Sequence, residues 1–304
     1  MRAATLAISS PGLRIQLPLM VAAFCLLWSA AYAVAKVSIL DCPPLLLLTF
    51  RFLLAGVVML VAVLLSGGSL KMSRRDLILF AALGVANQAG YLGIAYLGLR
   101  SISSGLSALV ISANPVLTAV LAAIFLGERM TWRKAFGLVL GVGGVAFVVQ
   151  HRLSGGLDHP EGIAFTLVAL VSLVIGTILY KRFAPKGGDL WVGNGVQSLS
   201  AGFAVLPFAF TFESVGDIVP TWRLAAAAAF LVLLVSVFAY VLWFKLLNLL
   251  GATAASSYHF LMPPLGMFFG WLLLGEHVSY ADFAGIVPVA LGIWLVTRPA
   301  PAKA

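Results

Sequence analysis

Ten apolar runs divide this chain, each close to the 20 or so residues that a helix needs to cross a bilayer core. They lie at roughly 17–37, 44–66, 77–99, 102–126, 132–150, 161–181, 190–211, 223–247, 252–274 and 280–297. Breaks rich in Gly, Pro or charge separate them, among them "SGGSLKMSRRD", "LGERMTWRK", "KRFAPKGGD" and "ESVGDIVPT". A transmembrane barrel would instead show alternating segments of about ten residues, which are absent. Composition excludes a soluble protein: 62% of residues are apolar and 10% charged, whereas soluble domains are about 25% charged. The fold expected is an all-α integral membrane protein of ten transmembrane helices.

The first run ends in "AYAVAK", a small-residue pattern like that of a signal-peptide cleavage site. The run is long enough to span and has later counterparts, so it reads as the first helix. Of the two cysteines, Cys25 sits within that run and Cys42 beyond it. A helix between them would hold them roughly 25 Å apart, out of disulfide reach. Neither a metal site nor a cofactor is implied.

Lys and Arg gather on the cytoplasmic side of membrane proteins. With the N-terminus inside, Arg2, Arg14, Lys71, Arg74, Arg75, Arg129, Arg133, Lys134, Lys181, Arg182, Lys186, Lys245, Arg298 and Lys303 fall inside. Arg100, Arg152 and Arg223 fall outside, while Lys36 and Arg51 lie within spans. Both termini are therefore expected in the cytoplasm of a cell whose inner membrane holds the protein. The net charge of +9 reads as a topology signal, and nucleic acid is not an expected partner.

The turn "LGERMTWRK" (Leu126 to Lys134) returns as "LGEHVSYAD" (Leu274 to Asp282). At the same offset Pro115 meets Pro263, Gly137 meets Gly285 and Gly144 meets Gly292. A slightly shorter offset brings Leu-Ala-Gly at 54–56 onto Ser-Ala-Gly at 200–202. The unit holds five spans, residues 1–150 and 161–304 flanking an external linker at 151–160. Five is odd, so the second copy enters the membrane inverted. The base-rich turn then lies inside and the turn without Lys or Arg outside, as their charges require. Inverted repeats mark secondary transporters that alternate access around a midplane site; a duplicated scaffold with no transport role is the alternative.

With "NPVLTAVLAAIFLGER", its echo "MPPLGMFFGWLLLGEH" and "LTFRFLLAG" in the second span, the chain resembles the ten-helix EamA-type branch of the drug/metabolite transporter superfamily. The resemblance extends over nearly the whole chain and takes in aromatic amino-acid exporters. It implies export or facilitated passage of small metabolites, amino acids and their relatives among them.

All ten carboxylates fall at span ends or in loops. Proton-coupled cation antiport usually needs a membrane-embedded carboxylate, and the first span, where small relatives carry one, has none. Facilitated exchange or downhill export is expected, with His259 as the one remaining route for a proton. A Lys or Arg at a span centre costs about 2.5–3.5 kcal/mol on the insertion scale. Lys36, near a span end, is expected to snorkel. Arg51 lies roughly 10 Å below the end of its helix and needs helix-end carbonyls, a wet cavity or a substrate carboxylate.

Polar and aromatic side chains cluster within particular spans. The candidate substrate-binding residues are Trp28, Tyr32, Arg51, Asn87, Gln88, Tyr91, Ser112, Tyr180, Gln197, Tyr240, Trp243 and His259. Each has a plainer reading: hydroxyls bond back to their own helix, aromatics near span ends join the interfacial belt as Trp132, Trp222, Tyr280 and Trp294 should, and a neutral histidine bonds a neighbouring helix. Unpaired amides at Asn87 and Gln88 are costly in hydrocarbon. Pro115, Pro263 and Pro264 each remove a backbone donor at mated positions and are candidate hinges. Glycines at 137, 141, 143, 144, 285 and 292 suit close helix packing.

An aromatic, neutral cavity with one buried cation suits a zwitterion such as an amino acid. Efflux of drugs or other toxic compounds is the second reading, and an intramembrane enzyme or a channel a remote one. Ser256, Ser257 and His259 lie close in sequence but have no orienting acid nearby. The partners expected are a small-molecule substrate and the lipid bilayer, with a homodimer left open.

Overall fold

The computed structural model describes residues 11–128, 130–154, 158–183 and 189–297. Arg2, Arg129, Lys186, Arg298 and Lys303, and part of the linker at 151–160, lie outside them. The described residues form helices and no strands. In chain order these are α1 (Pro11–Ser38), α2 (Pro44–Leu65), α3 (Arg74–Leu99), α4 (Ser104–Leu126), α5 (Trp132–Ser154), α6 (Pro160–Phe183), α7 (Leu190–Phe212), α8 (Trp222–Leu250), α9 (252–274) and α10 (Tyr280–Thr297). Eight of them are long and apolar enough to cross a membrane. The ninth is three short pieces end to end, and the tenth is a continuous apolar helix with Pro288 inside it.

Local chemistry sets the helix ends. Pro44 occupies the first turn of α2, where a missing N–H does no harm. Ser73 caps α3 by accepting from the Asp76 amide, and Thr221 caps α8 by accepting from the Leu224 amide. Gly127 and Gly275 close α4 and α9 with φ of 66° and 64°. In both, the next residue's amide reaches back six residues, Glu128 to Ala122 O (3.1 Å) and Glu276 to Gly270 O (3.2 Å). The repeated Leu-Gly-Glu is thus a helix stop in which only glycine takes the left-handed backbone without strain.

The two repeats meet symmetrically. The most extensive helix pairs are α2 with α7 and α5 with α10, each helix packing on its own mate. A Cβ on Gly56 would lie 2.6 Å from Leu199 Cγ, and one on Gly202 would lie 2.7 Å from Leu53 Cγ. These two contacts interchange under the shorter sequence offset, as a two-fold axis demands. The α5–α10 crossing behaves alike: Gly144 meets the Gly285 carbonyl, and Gly292 meets the Gly137 carbonyl. Backbones approach this closely only through small residues. Outward, the bundle presents Leu, Val and Phe side chains such as Phe203, Phe208 and Val139, and Trp132, Trp222 and Tyr280 are exposed at helix ends.

Two features depart from regular spans. Residues Gly84–Gly90 of α3 and Phe230–Ala239 of α8 form wide π-helical turns at mated positions. Helices α4 and α9 are broken: α4 stops at Ile111 and restarts at Asn114 with Pro115 in its first turn. In α9 a 3-10 turn at Tyr258–Leu261 precedes a restart at Met262 followed by Pro263 and Pro264. The prolines begin helices rather than bend them, which is where a missing N–H is tolerated.

Candidate functional site

A narrow cavity of about 20 Å³, room for about one water, lies in the bundle between α1, α2, α3 and α8. It lies toward the end of the bundle that carries few bases, where α1 and α3 finish. Helix α1 contributes Trp28, Ala31, Tyr32 and Ala35, and α2 contributes Arg51. From α3 come Tyr91, Leu92, Ala95, Tyr96 and Leu99, and from α8 Val235 and Tyr240. The i, i+4 and i, i+3 spacings on α1 and α3 put these side chains on one face of each helix.

Arg51 is 1% exposed. Its Nε donates to Ser236 Oγ at 2.8 Å and its Nη1 to Tyr96 Oη at 2.8 Å. Three ion pairs occur among the described residues and none includes Arg51. Both partners are neutral, so the cation is hydrogen-bonded but has no counter-charge in reach. The phenols around it are tied together: Tyr32 and Tyr91 hydroxyls are 3.1 Å apart, and Tyr240 donates to the Asn87 carbonyl at 3.1 Å. Asn194 donates to the Ser236 carbonyl at 2.8 Å. Both carbonyls belong to the π turns, where the wider winding leaves acceptors free for side chains.

Aromatic rings pack together beside the cavity. Trp28 packs on Tyr240 (centroids 5.0 Å), Phe24 stacks on Trp243 (5.4 Å), and His259 meets Trp243 edge-on at 5.0 Å. His259 Nδ1 lies 3.2 Å from Ser256 O. Its Nε2 and Trp243 Nε1 are buried without a hydrogen-bond partner.

Of the residues singled out from sequence, Trp28, Tyr32, Arg51, Tyr91 and Tyr240 line the cavity, and Trp243 and His259 pack against Trp28 outside its lining. The others lie elsewhere. Asn87 packs its amide against Gly176 of α6, where a Cβ would come within 2.2 Å of Oδ1. The amides of Gln88 and Gln197 are buried without partners. Ser112 donates back to Leu109 O at 2.5 Å, the plainer of its two readings. Tyr180 packs at a tilt on Phe244 and accepts from Asn248 at 2.9 Å. Lys36 turns its Nζ onto the carbonyls of Leu99 (2.5 Å) and Ile102 (2.6 Å), because α3 ends beside it with unsatisfied acceptors. Of the two groups that hold Arg51, Tyr96 is noticeable in sequence among the polar and aromatic residues of its span but is not among the candidate site residues, and Ser236 is missed. A lone hydroxyl within "FLVLLVSVFA" was the available signal for Ser236.

The model of the EamA-like transporter family matches residues 17–150 and again 160–298. The uncharacterized transporter YoaV of Bacillus subtilis is 27% identical over 90% of this chain and 93% of its own. The uncharacterized inner membrane transporter YedA of Escherichia coli K12 is 25% identical, covering 92% and 91%. The S-adenosylmethionine/S-adenosylhomocysteine transporter of Chlamydia muridarum is 27% identical, covering 82% and 81%. One crystal structure shares the fold with a TM-score of 0.70 at 20% identity, covering 92% of this chain and 96% of its own.

Proposed function

The chain belongs to the EamA-like transporter family, and from that premise we propose that it moves a small carboxylate-bearing metabolite, an amino acid or close relative, by alternating access. In this reading the base-rich end of the bundle faces the cytoplasm and transport is export or exchange across the inner membrane. Arg51 carries the proposal. A buried guanidinium with neutral partners and no ion pair among the described residues, facing a narrow cavity lined by phenols, favours an anionic group on the substrate. Tyr32, Tyr91, Tyr240 and Trp28 offer hydroxyls and ring faces to the rest of the molecule. A single cation suits one carboxylate better than a phosphorylated sugar, which would call for several inward bases. The ten carboxylates all lie near helix ends or in loops, which favours facilitated exchange over a carboxylate-driven pump.

The relative named as a carrier of S-adenosylmethionine and S-adenosylhomocysteine favours a second reading in the same class. Both compounds join an amino-acid carboxylate to a flat base, groups that the arginine and the aromatic side chains beside it would meet. Efflux of apolar toxic compounds would draw on the aromatic surfaces alone and leave Arg51 without a role.

Counterflow in liposomes tests this. Labelled amino acids should accumulate against an internal unlabelled pool without a proton gradient. Arg51→Gln should abolish that accumulation while the variant still elutes as folded protein. Absence of counterflow for every amino acid and for both adenosyl compounds would defeat the proposal.

A further inference from the structure

The repeated Leu-Gly-Glu turns do more than stop two helices. Each glutamate turns onto the start of the other helix. Glu276, at the end of α9, accepts from the Ser104 amide (2.8 Å), the Ser104 hydroxyl (2.8 Å) and the Gly105 amide (3.2 Å) at the start of α4. Glu128, at the end of α4, accepts from the Thr253 hydroxyl at the start of α9. The first contact lies at the base-poor end of the bundle and the second at the base-rich end. The sequence offset that carries Glu128 onto Glu276 also carries Gly105 onto Thr253.

A lysine accompanies each contact. Lys36, from the end of α1, binds the carbonyls of Leu99 and Ile102 just before α4. Lys181, from the end of α6, binds the Leu247 carbonyl just before α9, at 3.0 Å. Leu99 and Leu247 are again mates. The two ends of the bundle thus carry one fastening built twice.

What each glutamate holds is a short piece of helix. Ser104–Ile111 of α4 is cut from its longer half at Ser112, and Ala252–Ser257 of α9 is cut from its longer half by the 3-10 turn. Each carboxylate hangs from the long half of the opposite helix. Gly270 leaves the space for one of them: a Cβ there would lie 2.3 Å from Glu276 Oε2 and 2.7 Å from Ser104 Oγ.

We propose that Glu276 and Glu128 are mirror-image latches that hold these half-helices shut, one at each face, and that releasing either one opens the cavity to its own side only. The proposal rests on the alternating-access reading but not on the identity of the cargo. A carboxylate accepting from helix-start donors is a charge-assisted contact that loses strength when its charge is removed by substitution. The breaks at Ser112 and at Tyr258–Leu261 allow each short half to tilt without its long half.

The test places a single reporter cysteine at Ala31 in the cavity, with Cys25 and Cys42 replaced by alanine. A membrane-impermeant thiol reagent is applied to right-side-out and to inverted vesicles. Glu276→Gln should raise the labelling rate by about fivefold from the base-poor side and not from the other. Glu128→Gln should do the reverse. Ser104→Ala and Thr253→Val weaken the same contacts from the opposite partner, so they repeat the test if a glutamate variant fails to fold. Equal changes from both sides, or lowered melting temperature with unchanged labelling, would make these contacts fixed clips and overturn the proposal. Labelling needs no substrate, so this result and the counterflow result fail independently.

Discussion

At the residue scale, the instructive case is Arg152. By composition it is one of few bases at its end of the bundle. In the fold it is 4% exposed and grips Asp282 with two bonds, Nε to Oδ1 at 2.9 Å and Nη2 to Oδ2 at 2.8 Å. It also reaches Ser103 Oγ (3.0 Å) and Asp158 (3.5 Å). It therefore joins the end of α5 to the start of α10 and to the segment before α6. Removing one partner of such a set strands a buried charge, at about 3–5 kcal/mol. Arg152→Ala should lower the melting temperature measured by thermal-shift fluorescence in detergent, and Arg152→Lys should restore little, since a lysine cannot make the forked pair. Cys42, in the turn after α1, is buried, and that burial, with the charge of Glu213 next, pushes its thiol up to about 11. Below that pH the thiol is neutral and a poor nucleophile. Alkylation of Cys42 by a small maleimide should be slow at pH 7 and rise steadily toward pH 11; fast labelling at neutral pH would contradict the burial.

At the element scale, the prolines were legible in sequence and their effect was not. Pro115 and Pro263 stand in mated positions within apolar runs, and such a pattern predicts a bend. The helices instead stop and restart, with each proline in a first turn. As hinge elements, Pro115→Ala and Pro263→Ala should slow counterflow more than they lower protein yield, by making the broken spans continuous. Unchanged flux in both would sink the hinge idea. The π turns in α3 and α8 had no signal of their own. An extra residue per turn is set by what packs outside the helix, here Tyr240 and Asn194 claiming two freed carbonyls.

At the scale of the whole molecule, two-fold symmetry makes a prediction that no single helix would. Gly56 and Gly202 occupy equivalent places against Leu199 and Leu53. Replacing either with leucine overpacks a full contact, at about 1–3 kcal/mol. Gly56→Leu and Gly202→Leu should lower the melting temperature by similar amounts. A large inequality would show that the repeats have diverged at this crossing.

The sequence by itself determined the number of spans, their antiparallel order and the inverted repeat. Bilayer thickness fixes the length of an apolar run, and an odd-numbered unit can only re-enter inverted. It also marked Arg51 as a problem, because a charge within hydrocarbon needs a partner. Which partner was decided only in three dimensions. Ser236 lies 185 residues away from Arg51 and Tyr96 lies 45 away, on helices that meet it only once the repeats interlock. The same holds for Asn87 and Gln88, whose polarity suggested a binding site. Their direction depends on a π turn that redistributes the faces of α3. The glutamates of the two turns followed the same rule: their recurrence was visible in the letters, while the helix each one holds, 125 or 172 residues distant, was not. Periodicity along a chain reports which residues share a helix face; what that face meets is set by packing between chain segments far apart in sequence.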